Sequence, residues 1–171
     1  MAQDDTKLYE FIHGRRQRLF RSAFLLCGDR HEADDLVQST LLKVVMAWRR
    51  LERIDNVEAY ARRTLLSVFI SSQRRMWRRE APFGELPERP TPTDDPSGIG
   101  AEVLTALATL PIKQRAVLVL RYWEDLSVEA TAEALGLRPG TVRSHASRGI
   151  ATLRTAMSEV SSEAVRERER A

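Results

Sequence analysis

The chain has 171 residues, of which 30% are charged and 6% aromatic, and its formal net charge is +3. This length suits one ordinary domain or two very small ones. The apolar runs of the chain are shorter than the roughly 18 residues of a membrane span. The N-terminus is polar and acidic, so it does not resemble a signal peptide. The single cysteine excludes an internal disulfide and a cysteine-rich zinc site. From these features together we expect a cytoplasmic protein that inserts into no membrane and binds neither metal nor cofactor.

The charges divide the chain into three parts. Residues 1–80 carry 16 Lys or Arg against 11 Asp or Glu, residues 81–102 carry one against five, and residues 103–171 carry ten against eight. Two basic parts therefore flank an acidic connector, which favours a polyanionic partner that both basic parts contact. Solubility alone is the alternative explanation of the same pattern.

Apolar residues in the first part, residues 5–80, recur at helical spacing and predict a compact bundle of three or four helices. Gly28 is expected to end the first helix, and Asp29 to open the second as its cap. Asp55 or Asn56 is expected to cap a third helix. The predicted buried residues are Leu8, Phe11, Ile12, Leu19, Ala23 and Leu26, then Ala33, Leu36, Val37, Leu41, Val44, Val45 and Trp48, then Tyr60, Ala61, Leu65, Val68 and Phe69.

The connector, residues 81–100, contains five of the seven prolines of the chain and almost no apolar periodicity. This composition predicts an extended, flexible linker.

Helical periodicity returns in residues 101–157. We expect Ser127 to cap one short helix, Gly136 to end it, and Pro139 to begin the next. The charged tail, residues 158–171, is expected to fray. The sequence contains no sustained alternation of apolar and polar residues, so no strand is predicted. The predicted fold class is therefore all-α, with two small helical domains joined by a linker.

Residues 127–153 have the pattern of a helix-turn-helix, with a short helix, a turn that contains glycine, and a second helix. Polar positions on the second helix that are not needed for packing carry donors suited to base edges and phosphates. A helical hairpin with a solvated face is the alternative. The candidate DNA-binding residues here are Thr141, Arg143, Ser144, His145 and Arg148.

The predicted third helix has six arginines and no acidic residue between Ala59 and Arg79. Arginines beside an aromatic residue suit the phosphate backbone of DNA together with stacking on an unpaired base. An ordinary charged surface helix is the alternative. The candidate residues are Arg63, Ser67, Ser71, Arg74, Arg75, Trp77 and Arg78.

Adjacent carboxylates at Asp34 and Asp35 could indicate a metal or catalytic site. Neighbouring residues of one helix do not converge on a point, and no second group of His, Cys or acidic residues supplies further ligands. We therefore predict a partner-binding or solvated acidic face, and a protein that is not an enzyme.

Two ordered sets of motifs resemble the extracytoplasmic-function (ECF) sigma factors of bacterial RNA polymerase, and in particular an actinobacterial subgroup. Order, spacing and intervening linker all match, over about residues 5–155. The first set resembles region 2 of the family: Glu32-Ala33-Asp34-Asp35-Leu36-Val37-Gln38, Ala47-Trp48 and Tyr60-Ala61-Arg62-Arg63-Thr64-Leu65. The second set resembles region 4: Leu110-Pro111, Gln114-Arg115-Ala116-Val117-Leu118, Arg121-Tyr122, Asp125-Leu126-Ser127, Leu135-Gly136 and Gly140-Thr141-Val142-Arg143-Ser144.

The resemblance implies that the first module docks on the clamp coiled coil of the polymerase β′ subunit, through Asp35, Gln38 and Ser39. It also implies that the third helix and the loop 51–56 recognise the −10 promoter element and hold its non-template strand with one base out of the stack. Ser39, Ser67 and Ser71 depart from residues common in the family, so the resemblance does not predict the promoter sequence.

The second module, by the same resemblance, reads the −35 element through the helix-turn-helix, while its helix 113–123 meets the β flap. The acidic linker would run near the RNA exit path. Regulation is expected from outside the chain, through an anti-sigma protein or the level of expression. The alternative function is a stand-alone helix-turn-helix regulator that binds duplex DNA without polymerase.

Overall fold

The computed structural model describes residues 2–51, 56–79 and 98–170, without the side chains of 2–4, 76–79, 160, 164 and 167–169. Contacts divide the chain into two units, Met1–Glu88 and Arg89–Ala171. The described residues of both units form helices and no strand, which confirms the all-α prediction. No described helix combines the length and apolar character that crossing a membrane requires.

Three helices build the described part of the first unit: α1 (Ala2–Cys27), α2 (Arg30–Leu51) and α3 (Val57–Arg79). Their boundaries follow the predicted signals. Gly28 takes a φ of 74°, which a residue with a Cβ adopts at a cost. The Asp29 side chain accepts a hydrogen bond from the Glu32 backbone N–H at 2.8 Å, and that of Asn56 accepts one from the Ala59 N–H at 3.0 Å. Each bond satisfies an otherwise unpaired donor at a helix start.

The first unit packs α1, α2 and α3 around large apolar side chains, among which Phe24 and Phe69 are almost completely buried. Burying a side chain of this size contributes about 1.5–3 kcal/mol. Sequence periodicity missed Phe20, Phe24 and Leu25, because α1 buries a broader face than the predicted stripe. The prediction that Val45 is buried was wrong, since its side chain is 42% exposed.

The described part of the second unit contains α4 (Ala101–Ala108), α5 (Ile112–Leu118), α6 (Val128–Leu135) and α7 (Pro139–Arg170). A π-helical turn, Val119–Trp123, continues α5. Helix α7 contacts each of the other three helices and is the centre of this unit.

The turn between α6 and α7 forms as predicted. The Ser127 hydroxyl accepts a hydrogen bond from the Ala130 N–H at 3.0 Å, and Gly136 takes the left-handed conformation at φ 64°. The Leu137 N–H then donates to the Ala132 carbonyl at 2.9 Å, which closes the end of α6. Val142 on α7 packs with Ala132 and Val117 in the apolar interior.

A buried arginine, which periodicity did not reveal, joins α4 to α5. The Arg115 side chain is 3% exposed and donates from Nη2 to the carbonyls of Ala108 and Leu110, at 3.1 and 3.2 Å. A helix leaves its last carbonyls without partners inside the helix, and a cation near them is favourable. Arg115 therefore stabilises the end of α4.

The tail was predicted to fray, and the structure differs: α7 continues through it to Arg170. Its Ala, Glu and Arg residues favour helix. The hydroxyls of Ser158 and Ser162 turn back to the carbonyls of Arg154 and Ser158, at 3.0 and 2.7 Å, so they do not compete for the N-H groups of the helix.

Replacing Ser127 by Ala is expected to lower the free energy of unfolding of the second unit by about 1 kcal/mol, because the Ala130 N–H loses its cap. Urea denaturation followed by circular dichroism measures this change. Replacing the exposed Ser147, which lies within α7, is the control and should change stability by less than about 0.5 kcal/mol. Equal values for the two variants would contradict a capping role.

Cys27 is expected to react slowly with alkylating reagents in the folded protein. Burial raises the pKa of its thiol to about 12, the nearby charges of Glu32 and Asp29 act in the same direction, and Sγ donates to the Asp29 carbonyl at 3.2 Å. The reactive thiolate appears only as the pH rises towards that pKa, whereas an unfolded cysteine ionises near pH 8.5. At pH 8, alkylation by iodoacetamide should be about 10³-fold slower than in urea. Similar rates in the two conditions would contradict a protected thiol.

Candidate nucleic-acid and polymerase interfaces

The exposed face of α2 brings together the three predicted polymerase-binding residues. Asp35, Gln38 and Ser39 are all exposed and lie at helical spacing on one side of the helix. The same side continues to Leu42 and Met46, whose exposed fractions are 62% and 80%. Polar residues followed by exposed apolar ones are typical of a surface that binds another protein. Sequence reasoning missed this apolar extension, although both residues fall outside the buried stripe of α2.

The arginine-rich helix α3 presents its predicted DNA-binding residues to solvent. Arg63, Ser67, Ser71, Arg74 and Arg75 are all exposed. The helix includes Trp77 and Arg78, whose side chains lie outside the described residues. Residues 52–55 of the loop predicted to hold the non-template strand also lie outside them.

Ion pairs separate the arginines of the first unit into two groups. The Glu58 carboxylate lies 3.2 Å from Arg15, 3.5 Å from Arg18 and 3.9 Å from Arg62. Arg74 and Arg75, near the other end of α3, have no ion pair among the described residues. Arg74 and Arg75 are therefore available to a polyanion.

A groove of about 510 Å³ lies between α2 and α3. Its lining brings together Ser39, which was predicted to bind polymerase, and Ser71, Arg74 and Arg75, which were predicted to bind DNA. Lys43 also lines it, and no sequence motif had singled this lysine out. Its position one turn after Ser39 is the signal that could have revealed it.

A hydrogen bond fixes α3 against the start of α2. Gln73 Nε2 donates to Glu32 Oε1 at 3.1 Å, between residues 41 positions apart in sequence. The Glu32 carboxylate therefore links the first turn of α2 to α3. The contact holds the two walls of the groove in register.

The start of α7 carries the five predicted −35 candidates. Arg143, Ser144 and Arg148 are exposed, whereas Thr141 and His145 are half-buried. The Nδ1 atom of His145 is buried and has no hydrogen-bond partner among the described residues. Only the other edge of this imidazole is therefore available to DNA.

Arg143 is held near the turn of the helix-turn-helix by a residue of α6. Its Nη2 atom lies 3.5 Å from Glu129 Oε1, and both side chains are more than 60% exposed. Exposed pairs of this kind contribute about 1 kcal/mol or less. A stronger partner such as a guanine edge can therefore displace Glu129.

The predicted flap-binding segment, residues 113–123, is interrupted by the π-helical turn. Tyr122 in this turn is 60% exposed, and the Arg121 guanidinium lies 5.8 Å from its ring centroid. Arg121 also donates to the Leu126 carbonyl, which fixes the chain as it leaves the turn. The segment therefore offers an exposed aromatic residue beside a cation.

The acidic residues of α2 do not assemble a metal site. Among the described residues, no group of three or more His, Cys, Asp or Glu side chains could hold a metal ion. This finding covers Asp34, Asp35 and the neighbouring His31.

Sequence families match the two units separately. Residues 11–79 match the family described as Sigma-70 region 2, and residues 100–153 match the family described as Sigma-70, region 4. The combination defines a protein of the sigma-70 class.

Relatives agree with this class, and two solved structures share the fold. The RNA polymerase sigma-E factor of Streptomyces coelicolor is 38% identical over 152 residues, which are 85% of this chain and 82% of the relative. The ECF RNA polymerase sigma factor SigE of Mycolicibacterium smegmatis is 33% identical over 163 residues, which are 90% of this chain and 63% of the relative. The fold is similar to that of the sigma factor RpoE of Bartonella quintana, which was solved in complex with the anti-sigma factor NepR. The TM-score is 0.67 and the identity 24%, over 90% of this chain and 97% of the other.

A second solved structure, CnrH with the cytosolic domain of CnrY, has a TM-score of 0.61 and 20% identity, over 92% of this chain and 94% of the other. The chain belongs to the ECF RNA polymerase sigma factors, as a relative named ECF RNA polymerase sigma factor SigL, 32% identical and covered over 84% of its length, also shows. It directs transcription initiation from specific promoters. The predicted resemblance to an actinobacterial subgroup is confirmed by the Streptomyces and Mycolicibacterium relatives.

Proposed function

We propose a division of labour between two modules, residues 5–80 and 101–157, joined by an acidic linker at 81–100. The first module docks on the β′ clamp and captures the −10 element, and the second reads the −35 element and meets the β flap. The charged segment 158–171 extends the second module. The protein acts in the cytoplasm by binding alone, without catalysing a reaction of its own.

The observation that carries this proposal is that the candidate polymerase-binding residues and the candidate DNA-binding arginines lie on two different helices of one small bundle. Asp35, Gln38 and Leu42 are exposed on α2, while the arginines without described ion pairs project from α3. A protein that binds polymerase and DNA simultaneously needs such separate surfaces. Residues 59–79 of α3 contain no acidic residue and supply phosphate contacts. Unstacking of a promoter base costs a few kcal/mol, which contacts made outside the helix stack offset.

Regulation by an anti-sigma protein is the second part of the proposal. One solved structure of similar fold is a sigma factor in complex with an anti-sigma factor, and the other is CnrH in complex with the cytosolic domain of CnrY. The exposed apolar residues Leu42 and Met46 on α2 give such a partner a surface that competes with polymerase.

Promoter binding with and without polymerase tests the proposal against the stand-alone regulator. The free chain should bind a promoter duplex weakly, and core RNA polymerase should make the complex tight and sequence-specific. Electrophoretic mobility shifts at one fixed salt concentration measure both states, because phosphate contacts make affinity depend steeply on salt. Tight, specific duplex binding by the free chain, unchanged by polymerase, would support the stand-alone regulator.

A further inference from the structure

An acidic residue of α6 contacts one arginine of α7 across the helix-turn-helix. Glu129 Oε1 lies 3.5 Å from Arg143 Nη2, between residues 14 positions apart in sequence. Both side chains are more than 60% exposed, so a DNA strand that reaches the guanidinium also meets the carboxylate. Glu129 is not among the residues that the sequence predicted to bind DNA.

The backbones that carry this pair are held by the apolar interior of the second unit. Val128, directly before Glu129, packs against the cluster that includes Val142, directly before Arg143. The Ser127 cap fixes the same first turn of α6. The packing of α6 on α7 therefore sets the separation of the two residues, and the ion pair requires only that their side chains be ordered.

Glu129 adds negative charge to a surface that is otherwise basic. Residues 134–158, which include the start of α7, contain four arginines and no acidic residue. Arg148, the other arginine among the −35 candidates, has no ion pair among the described residues. Arg143 therefore differs from Arg148 in having a carboxylate beside its guanidinium.

A carboxylate beside Arg143 affects two kinds of DNA contact differently. A phosphate group is anionic, so the Glu129 carboxylate repels it as it approaches the guanidinium. A guanine edge is neutral and offers N7 and O6 as acceptors, and the five N–H donors of a guanidinium can bind it without bringing two negative charges together. The acidic neighbour therefore disfavours the contact that carries no sequence information.

We propose that Glu129 is a specificity-determining residue, which positions the Arg143 guanidinium and restricts it to base edges by repelling phosphate. This inference rests on the proposed function, in which Arg143 reads the −35 element, and deepens it by naming the residue that suppresses sequence-independent contacts. Glu129 acts through Arg143 and needs no contact of its own with DNA.

Run-off transcription by core RNA polymerase with the full chain tests this role, on one promoter with its −35 element intact or scrambled. We expect Glu129→Gln to raise transcription from the scrambled promoter about 3- to 5-fold, the upper range for one exposed charge pair. Transcription from the intact promoter should change less than about 2-fold, because guanine contacts are not repelled. The ratio of intact to scrambled output should therefore fall.

Glu159→Gln is the matched control, since Glu159 is exposed on α7, lies about three turns beyond Arg148 and removes the same charge. It should leave the ratio of intact to scrambled output unchanged within about 1.5-fold. Circular dichroism melts verify that both variants are folded, as expected for surface substitutions. Equal ratios for Glu129→Gln and Glu159→Gln would overturn the inference.

A second measurement determines whether Glu129 acts through Arg143. Fluorescence anisotropy of a labelled duplex, twenty base pairs long and without promoter elements, is measured with the free chain at several salt concentrations. Glu129→Gln should steepen the dependence of affinity on salt by about 0.9, the value for one added phosphate contact on a duplex. In the Arg143→Ala background the same substitution should leave that dependence unchanged. An equal change in both backgrounds would overturn the inference, because the carboxylate would then repel DNA without Arg143.

The two measurements distinguish this inference from the proposed function. If the wild-type chain and polymerase transcribed the intact and scrambled promoters equally, the proposed reading of the −35 element would fail. Binding to the promoter-free duplex would still decide whether Glu129 keeps Arg143 from phosphate, since that measurement requires no polymerase. If the wild type discriminated between the promoters and Glu129→Gln discriminated equally well, the proposed function would stand and the role of Glu129 would be refuted.

Discussion

The variant Asp35→Arg is expected to lose binding to core RNA polymerase, with a dissociation constant raised at least about 100-fold. Asp35 is exposed on α2 beside Gln38, and its carboxylate is the only charge among the predicted polymerase-binding residues. Truncating one partner of a buried, hydrogen-bonded charge pair at an interface costs about 2–5 kcal/mol, and a like charge in its place adds repulsion. The fold should remain intact, because surface substitutions change stability by less than about 0.5 kcal/mol.

Glu10→Arg is the control for the change of charge, since Glu10 is exposed on α1 and outside the predicted interface. Binding to core polymerase can be measured by fluorescence titration of a labelled chain, with thermal melts to verify folding. Asp35→Arg should bind single-stranded DNA less than 2-fold differently from the wild type, because its charge lies outside the α2–α3 groove. Polymerase affinity equal to that of Glu10→Arg would show that Asp35 does not contact the clamp.

The variant Arg143→Ala is expected to lower transcription from promoters that depend on their −35 element by roughly 5- to 150-fold. This range corresponds to the 1–3 kcal/mol of a bidentate arginine contact with guanine. Arg143 is exposed on α7, and among the described residues its ion-pair partner is Glu129, in a weak, exposed pair. DNA can therefore compete for its guanidinium at little cost in stability.

Arg154→Ala is the matched control on the same helix, since Arg154 is exposed and lies beyond Arg148, the last of the candidate residues. Run-off transcription from one promoter, with its −35 element intact or scrambled, separates base readout by Arg143 from a contact with the phosphate backbone. Scrambling should remove most of the difference between Arg143→Ala and the wild type. A difference that persisted on the scrambled promoter would indicate a phosphate contact instead of base readout.

The helix boundaries could be predicted from sequence because local chemistry determines them. Gly28, Asp29 and Asn56 in the first unit, and Ser127 and Gly136 in the second, each act on the backbone within a few residues, and all five take the predicted roles. Apolar periodicity placed the three helices of the bundle for the same reason. These signals depend little on which other helices lie nearby.

The features that depend on tertiary contacts could not be predicted in the same way. Periodicity placed Val45 in the interior because its residue type is apolar, yet its side chain is 42% exposed among the described residues. The buried Arg115 resembles a surface residue in sequence, and only the nearby end of α4 explains its burial. Whether the tail forms a helix depends on the balance between helix propensity and fraying, and the alternation of charges alone does not determine this balance.

In the candidate sites too, features set by local sequence could be predicted and features set by tertiary contacts could not. Motifs placed Asp35, Gln38 and the exposed residues of α3 on the correct elements, since the spacing of a helix sets which residues share a side. The groove could not be predicted, because it forms where Lys43 of one helix faces Arg74 and Arg75 of another.

Run-off transcription with purified core RNA polymerase, with and without this chain, tests the central claim most directly. The template is a library of genomic fragments, and the products are mapped to their start sites. We predict new, specific transcripts whose start sites share two upstream elements at constant spacing. An absence of chain-dependent transcripts, together with sequence-specific duplex binding by the free chain, would contradict the two-module account and support a stand-alone regulator.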